Sequence, residues 1–190
     1  KIKLGLKKMK NSMLFSELSV KNVSFRNRIV LSPMCQYKAK KGYVDDWHFQ
    51  HYARFAFSGL GGAFIEATGV SPEGRITHGC TGIWEDNQID GLKKITDVFK
   101  SYNCISGIQL AHAGRKASFL RPWDGARPIE KTEGFEKKWQ TIGPSAIPVN
   151  DSSPIPVEMS QDDIDKVIEE FKNAAKRSLE AGFDLIEIHG

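Results

Sequence analysis

Short runs of β-branched and other apolar residues alternate along this chain with longer stretches whose apolar positions recur every three or four residues. That alternation predicts parallel strands joined by helices, the α/β class. A first strand is expected over residues 28–31, ended by Ser32-Pro33 because proline has no N–H to give to a ladder. The polar break within Val23-Ser-Phe-Arg-Asn27 predicts a small hairpin before it. A helix follows over residues 47–58, capped by Asp45 or Asp46, with Phe49, Tyr52, Ala53 and Ala56 on one face. Gly59-Leu-Gly-Gly62 stops it and leads to a second strand over 63–67. Leu92, Ile95, Thr96 and Phe99 give helical spacing to 89–99, and 105–110 is the third strand. Ser160 caps a last helix, with Asp162 and Asp163 in its first turn and an apolar stripe of Ile164, Val167, Ile168, Phe171, Ala174, Ala175 and Leu179. Gly182 ends this helix, and 185–189 is the fourth strand.

Residues 117–159 break the rhythm. They carry Pro122, Pro128, Pro144, Pro148, Pro154 and Pro156 and far exceed the usual connection of about 4 to 6 residues, so a functional lid or an insertion is expected there. Four strand–helix steps with right-handed crossovers make half of a (β/α)₈ TIM barrel, a fold that takes roughly 250 residues in full. The expected organisation is a basic N-terminal extension over residues 1–13, then a half barrel over 14–190 truncated after strand four. An isolated half would leave two open parallel edges, which predicts low stability. An open doubly wound sheet is the alternative, but no glycine-rich dinucleotide loop follows the first strand.

Composition narrows the classes. With 190 residues, 40% hydrophobic and 26% charged, the chain has the material for a globular core. The net charge of +4 is modest, and Lys1, Lys3, Lys7, Lys8 and Lys10 gather it at the N-terminus, which gives nucleic-acid binding no support. No apolar run has the length of a signal peptide or a membrane span. Cys35, Cys80 and Cys104 show neither disulfide-framework nor zinc spacing, so a reducing, cytoplasmic setting without a structural metal is expected.

In a parallel barrel the reactive groups stand at the C-terminal strand ends. Here those ends carry Ser32-Pro33-Met34-Cys35-Gln36-Tyr37, then Ala67-Thr68, then Gln109 with His112, then His189. A thiol, an amide, a phenol, imidazoles and small residues suit a flat heteroaromatic ring that needs donors, acceptors and close approach.

The motifs then become specific. In order the chain carries Leu14-Phe15, Asn27-Arg28-Ile-Val-Leu-Ser-Pro-Met-Cys35-x-Tyr37, Glu66-Ala-Thr68, Pro72-Glu-Gly-Arg75, Gly82-Ile-Trp84, Gln109-Leu-Ala-His112-Ala-Gly-Arg115-Lys116 and Gly182-Phe-Asp-x-Ile-Glu-Ile-His189. This series resembles the N-terminal half of the old yellow enzyme family of NADH:flavin oxidoreductases. Cys35-x-Tyr37 and the Ala-His-Ala-Gly-Arg-Lys run look most like its thermophilic-type, xenobiotic-reductase-like subclass.

The resemblance implies an FMN-dependent ene-reductase. NADPH or NADH would reduce bound FMN, and hydride would then pass to an activated alkene, an α,β-unsaturated carbonyl or nitro compound. Ser32, Pro33 and Ala67 would touch FMN through backbone atoms, and Gln109 would bond the pyrimidine edge, since an amide both donates and accepts. Cys35 would lie near the reactive face of the flavin. His189 would be one of two donors to the substrate oxygen, and Tyr37 would face the substrate as donor or proton source. The second substrate donor, a flavin-contacting arginine and the phosphate-binding loops after strands seven and eight are implied beyond residue 190.

Plainer readings stand beside these. Cys35 by itself is a small hydrophobe, Tyr37 a buried phenol with its hydroxyl bonded, and His189 a satisfied histidine at a strand end. His48 and His51 favour capping or packing over a metal, and Arg115 favours packing or an interface over an anion site. Glu187 and His189 share one strand face, as in some metal-dependent barrel hydrolases, though no His-x-His follows the first strand. A catalytically inactive half barrel that pairs with another half, or a homo-oligomer, is the remaining alternative.

Overall fold

A computed structural model describes residues 12–130 and 137–190, so the basic extension lies outside the described residues as far as residue 11. β1 (Leu18–Val20) and β2 (Val23–Phe25) form a hairpin ahead of the first parallel strand, as expected, but it turns through Lys21 at φ 51°, before the polar break, and Val23–Phe25 is itself a strand. β3 (Val30–Leu31), β4 (Gly62–Gly69), β6 (Ile105–Ala111) and β9 (Leu185–His189) then lie side by side and all parallel, and β5 (Thr81–Gly82) extends the end of β4. The helices α1 (Asp46–Ala56), α2 (Ile89–Ser101) and α3 (Gln161–Glu180) connect them, as the alternating pattern requires. This is half of an eight-stranded β/α barrel.

β3 is shorter than the expected strand. Asn27 takes the start of that segment into a loop, donating through Nδ2 to Gly59 O (2.8 Å) and accepting Ile29 N–H on Oδ1 (3.1 Å). α1 begins at an Asp45 cap, and His48 completes the capping box by accepting Asp45 N–H (3.2 Å). Its buried line is His48, Tyr52 and Ala56, while Phe49 turns outward, contrary to the expected face. The cap draws the His48 ring inward and so rotates the buried face by one position.

The core lies between the sheet and α1 and α2. Ile65, Ile83, Leu92, Ile95, Phe99, Ile108 and Leu110 are almost wholly enclosed there. α3 is capped by Ser160 as expected, but only Ala174 and Ser178 are buried on it, with Phe171 and Ala175 packed against the core. Ile164, Ile168 and Leu179 stand exposed, because no described element lies across that side of the helix. In the described parts of 117–159, Phe119 bridges to Thr77 and Trp139 Nε1 donates to Glu73 O (2.9 Å), both in the segment after β4, and β7 (Ile142–Gly143) pairs with β8 (Val157–Glu158); residues 131–136 lie outside the described residues. Among the described residues no helix is long and apolar enough to cross a membrane.

Two substitutions test where stability resides in this chain. Phe99→Ala empties a fully buried ring position and is expected to cost about 3–5 kcal/mol in urea unfolding. Ile168→Ala, on the open side of α3, should stay within about 0.5 kcal/mol of the parent.

Candidate active site

Strand register sets the layout. Ala67 on β4 pairs with Gln109 on β6, which pairs with Glu187 on β9; two residues further along, on the same face, Gly69, Ala111 and His189 form the next row. A bulge at Glu66 makes the first row possible. Before it, Ile65 pairs with Ile108 and both face the helices; after it, Ala67 pairs with Gln109 on the opposite face. One extra residue reverses strand parity, which re-aims every side chain that follows.

Gln109 Nε2 donates to Glu187 Oε1 at 2.8 Å. This fixes the amide, commits one of its N–H bonds to the protein, and turns its carbonyl away from Glu187 as an acceptor for a ring N–H. Small residues surround it: Ala67 and Ala111 present methyl groups, and Gly107 has no side chain because a Cβ would meet the Phe64 ring at 2.4 Å. A flat ring can approach such a surface closely. His189 stands exposed at the end of β9.

The loop after β3 brings the remaining groups. Ser32 and Pro33 open it, and the Cys35 thiol reaches the Ala67 backbone and the Tyr37 side chain. Burial, then the nearby Glu66 carboxylate, push the Cys35 thiol above its usual range, outweighing those hydrogen bonds. Burial also raises the Tyr37 phenol, with Cys35 and Cys80 adding to the effect. Both groups therefore hold their protons at neutral pH. Tyr37 sits at φ 53°, a conformation that costs a non-glycine residue about 1–3 kcal/mol and needs surrounding structure to impose it. Gly79 packs so closely that a Cβ there would meet the Tyr37 carbonyl at 2.3 Å.

Beneath this loop lies a buried cluster that the sequence reading passed over. Glu66 is fully enclosed; Oε2 accepts Gln36 N–H (2.8 Å) and Oε1 accepts the Tyr52 hydroxyl (3.2 Å), which in turn accepts Glu66 N–H (3.0 Å). His48 Nε2 lies 4.0 Å from Oε1 and has no hydrogen-bond partner of its own. Burial raises the Glu66 carboxyl to about 7 and lowers the His48 imidazole. The signals available were a glutamate inside the apolar run Ala63-Phe-Ile-Glu-Ala67 and its place in the Glu66-Ala-Thr68 motif, to which no role was given.

Other candidates separate from the wall. His112 turns into the protein, where Nδ1 accepts Gly114 N–H (3.1 Å), so it does not join the strand-end surface. His48 caps and packs, His51 stacks on Trp47, and Arg115 reaches Ile147 O (3.3 Å), all structural duties. Among the described residues no three His, Cys, Asp or Glu side chains cluster to hold a metal. Beside Tyr37 the long connection walls an apolar groove of about 290 Å³, lined by Ile76, Phe119, Leu120, Pro122 and Val149 among others.

The raised Glu66 carboxyl has a definite sign in stability. Folded, Glu66 titrates near 7 instead of 4.5, so between those values the folded state holds the extra proton and stability falls as pH rises. The depressed His48 acts in the opposite sense, so the variant Glu66→Gln is the clean comparison. Relative to the parent, Glu66→Gln should gain about 3 kcal/mol in urea unfolding between pH 5 and pH 8. A pH-independent difference would contradict this assignment.

Comparison with known proteins gives the frame for this wall. The NADPH dehydrogenase of Geobacillus thermodenitrificans is 42% identical over 181 residues, 94% of this chain and 48% of its own length. That of Bacillus licheniformis is 44% identical over 184 residues, 96% of this chain and 49% of its own. The chain thus spans about half the length of the curated relatives it matches. Among solved structures, morphinone reductase superposes with a TM-score of 0.78 at 24% identity, covering 96% of this chain and 49% of that one. The old yellow enzyme from Pichia sp. AKU4542 gives 0.79 at 24% identity, over 94% and 46%. These likenesses establish the half-barrel fold. The NADH:flavin oxidoreductase / NADH oxidase family model matches residues 13–190, and the chain belongs to that family.

Proposed function

We propose that these residues form one wall of an FMN site in an NAD(P)H-dependent ene-reductase that acts on activated alkenes. The observation that carries this reading is the row Ala67–Gln109–Glu187, a small-residue surface with one oriented amide at the C-terminal strand ends, beside the Cys35–Tyr37 loop. The family description names NADH and a flavin, two relatives are named NADPH dehydrogenase, and one related structure is morphinone reductase in complex with tetrahydroNAD.

Bound FMN would supply the hydride chemistry. The roles of the chain itself follow from position and charge. Ser32, Pro33 and Ala67 offer backbone contacts to the ring, and the Gln109 carbonyl accepts from its pyrimidine edge. The Cys35 thiol, kept neutral by burial and by Glu66, lies against the ring without placing a charge on it. His189 directs an N–H toward the substrate carbonyl or nitro oxygen and stabilises negative charge that develops there. Tyr37 keeps its proton at neutral pH and is suited to give it to the substrate α-carbon. The apolar groove beside Tyr37 favours a hydrophobic substituent on the alkene. Three free cysteines accord with a reducing, cytoplasmic setting.

A second reading follows from the exposed apolar side of α3: the 190-residue chain alone is an inactive half that needs a further half barrel to grip FMN. The two are separated by titration. The complete protein should bind FMN, absorb in the visible region and oxidise NAD(P)H, while the 190-residue chain should bind FMN weakly. A complete protein that takes up no flavin sinks the first reading; tight stoichiometric binding by the 190-residue chain sinks the second.

Within the first reading, Tyr37→Phe should lower turnover of the alkene by about 10²-fold with flavin reduction by NAD(P)H preserved, measured by stopped flow. Gln109→Leu removes the amide and leaves Glu187 unpaired, and should weaken FMN binding by about tenfold or more.

A further inference from the structure

We propose that Glu66 is a positioning residue for the Cys35–Tyr37 pair: through one buried carboxylate, helix α1 dictates where the loop after β3 stands over the strand ends. This rests on reading Cys35 and Tyr37 as groups that face flavin and substrate. The anchor itself is independent of that reading.

The geometry is a chain of contacts. Tyr52, on the buried line of α1, donates to Glu66 Oε1 (3.2 Å) and accepts Glu66 N–H (3.0 Å), pinning both ends of the residue. The carboxylate then accepts the main-chain N–H of Gln36, the residue between Cys35 and Tyr37, at 2.8 Å on Oε2. That bond fixes the main chain immediately before Tyr37, where the backbone turns to φ 53°. By holding Gln36, Glu66 supports the strained turn at Tyr37 and the loop on which the Cys35 thiol and Tyr37 phenol meet.

The bulge explains why a glutamate can do this from within a strand. Without the extra residue, alternation would point Glu66 away from the helices and Ala67 toward them; with it, Glu66 reaches α1 while Ala67 joins Gln109. The same irregularity thus makes the ring-facing surface and the anchor behind it. His48 and Tyr52 from α1, Cys35 and Tyr37 from the loop, and Cys80 from the segment after β4 are the titratable groups around the carboxylate. None carries a positive charge at neutral pH, so the hold comes from hydrogen bonds and not from an ion pair.

Amide hydrogen exchange on the whole protein, with Glu66→Ala, Glu66→Gln and Tyr52→Phe, tests the anchor. Glu66→Ala should speed exchange of the Gln36 and Tyr37 amides by about tenfold or more, with the β6 segment Ile105–Ala111 unchanged. Glu66→Gln should restore most of that protection, since its amide oxygen still accepts from Gln36 N–H. Tyr52→Phe keeps the carboxylate but cuts its tie to α1, and should speed the same two amides by a smaller factor, about threefold. In the FMN-loaded protein, Glu66→Ala should lower kcat for the alkene and leave KM nearly unchanged. Unaltered exchange at Gln36 and Tyr37 in Glu66→Ala and Tyr52→Phe overturns the proposal, and so does a loss of protection spread equally over β6. If Glu66→Ala does not fold, Tyr52→Phe decides by the same criterion. The exchange readout needs no flavin, so failure of the FMN reading and failure of the anchor are told apart.

Discussion

A carboxylate enclosed in an apolar interior costs several kcal/mol unless its oxygens are occupied, and the strand-end face of this half barrel is arranged around meeting that demand for Glu66. Its partners come from three directions: a helix through Tyr52, a loop through Gln36, and its own strand through the bulge. Each partner gains something in return. The Tyr52 hydroxyl, itself buried, is satisfied twice; the loop gains a fixed conformation; Ala67 is turned to the face where Gln109 stands. An aliphatic side chain at this position would pack without penalty but would leave the Gln36 N–H and the Tyr52 hydroxyl without their acceptor.

The opposite balance governs Gln109 and Glu187. Glu187 is half-buried at the open edge β9, where water still reaches it, so its pairing with Gln109 serves orientation more than stability. An amide that faced the ring unpaired would rotate between two states; with Glu187 as acceptor, one state is preferred. The wall is therefore ordered from both ends, by a buried acid under the loop and a half-exposed acid beside the amide.

Much of this architecture was legible in the sequence because periodicity and punctuation act locally. Ser160 capped α3 as its type and spacing require, Gly59-Leu-Gly-Gly62 separated α1 from β4, and Leu92, Ile95, Thr96 and Phe99 formed the buried face of α2. Tyr37, Ala67, Gln109 and Cys35 were legible as strand-end groups for the same reason: a strand ends where its apolar run ends. What escaped was non-local. A bulge has no sequence signature of its own, since it is defined by the register of a partner strand, and reading Glu66 with ordinary alternation puts it on the wrong face. Phe49 was misplaced because the His48 cap, an interaction between side chain and backbone, outweighed apolar spacing in choosing which face of α1 is buried.

The α3 stripe shows a different limit. Ile164, Ile168 and Leu179 have the spacing of a buried face, and spacing reports only that a face is apolar, not that anything covers it. In a barrel each helix packs on the strands beside it and on the next helix around the ring, so the last helix of any half keeps one flank open. β9 shows the same condition in the sheet: Ile188 pairs with buried Leu110 yet is itself exposed, because no described element lies over it. The ring-facing wall is organised without that flank: Cys35 and Tyr37 are oriented by Glu66 on β4 through Gln36, by the close-packed Gly79 and by Trp123, and Gln109 by Glu187. His189, exposed at the end of the edge strand β9, has no described neighbour on its far side, and no described contact sets the orientation of its imidazole.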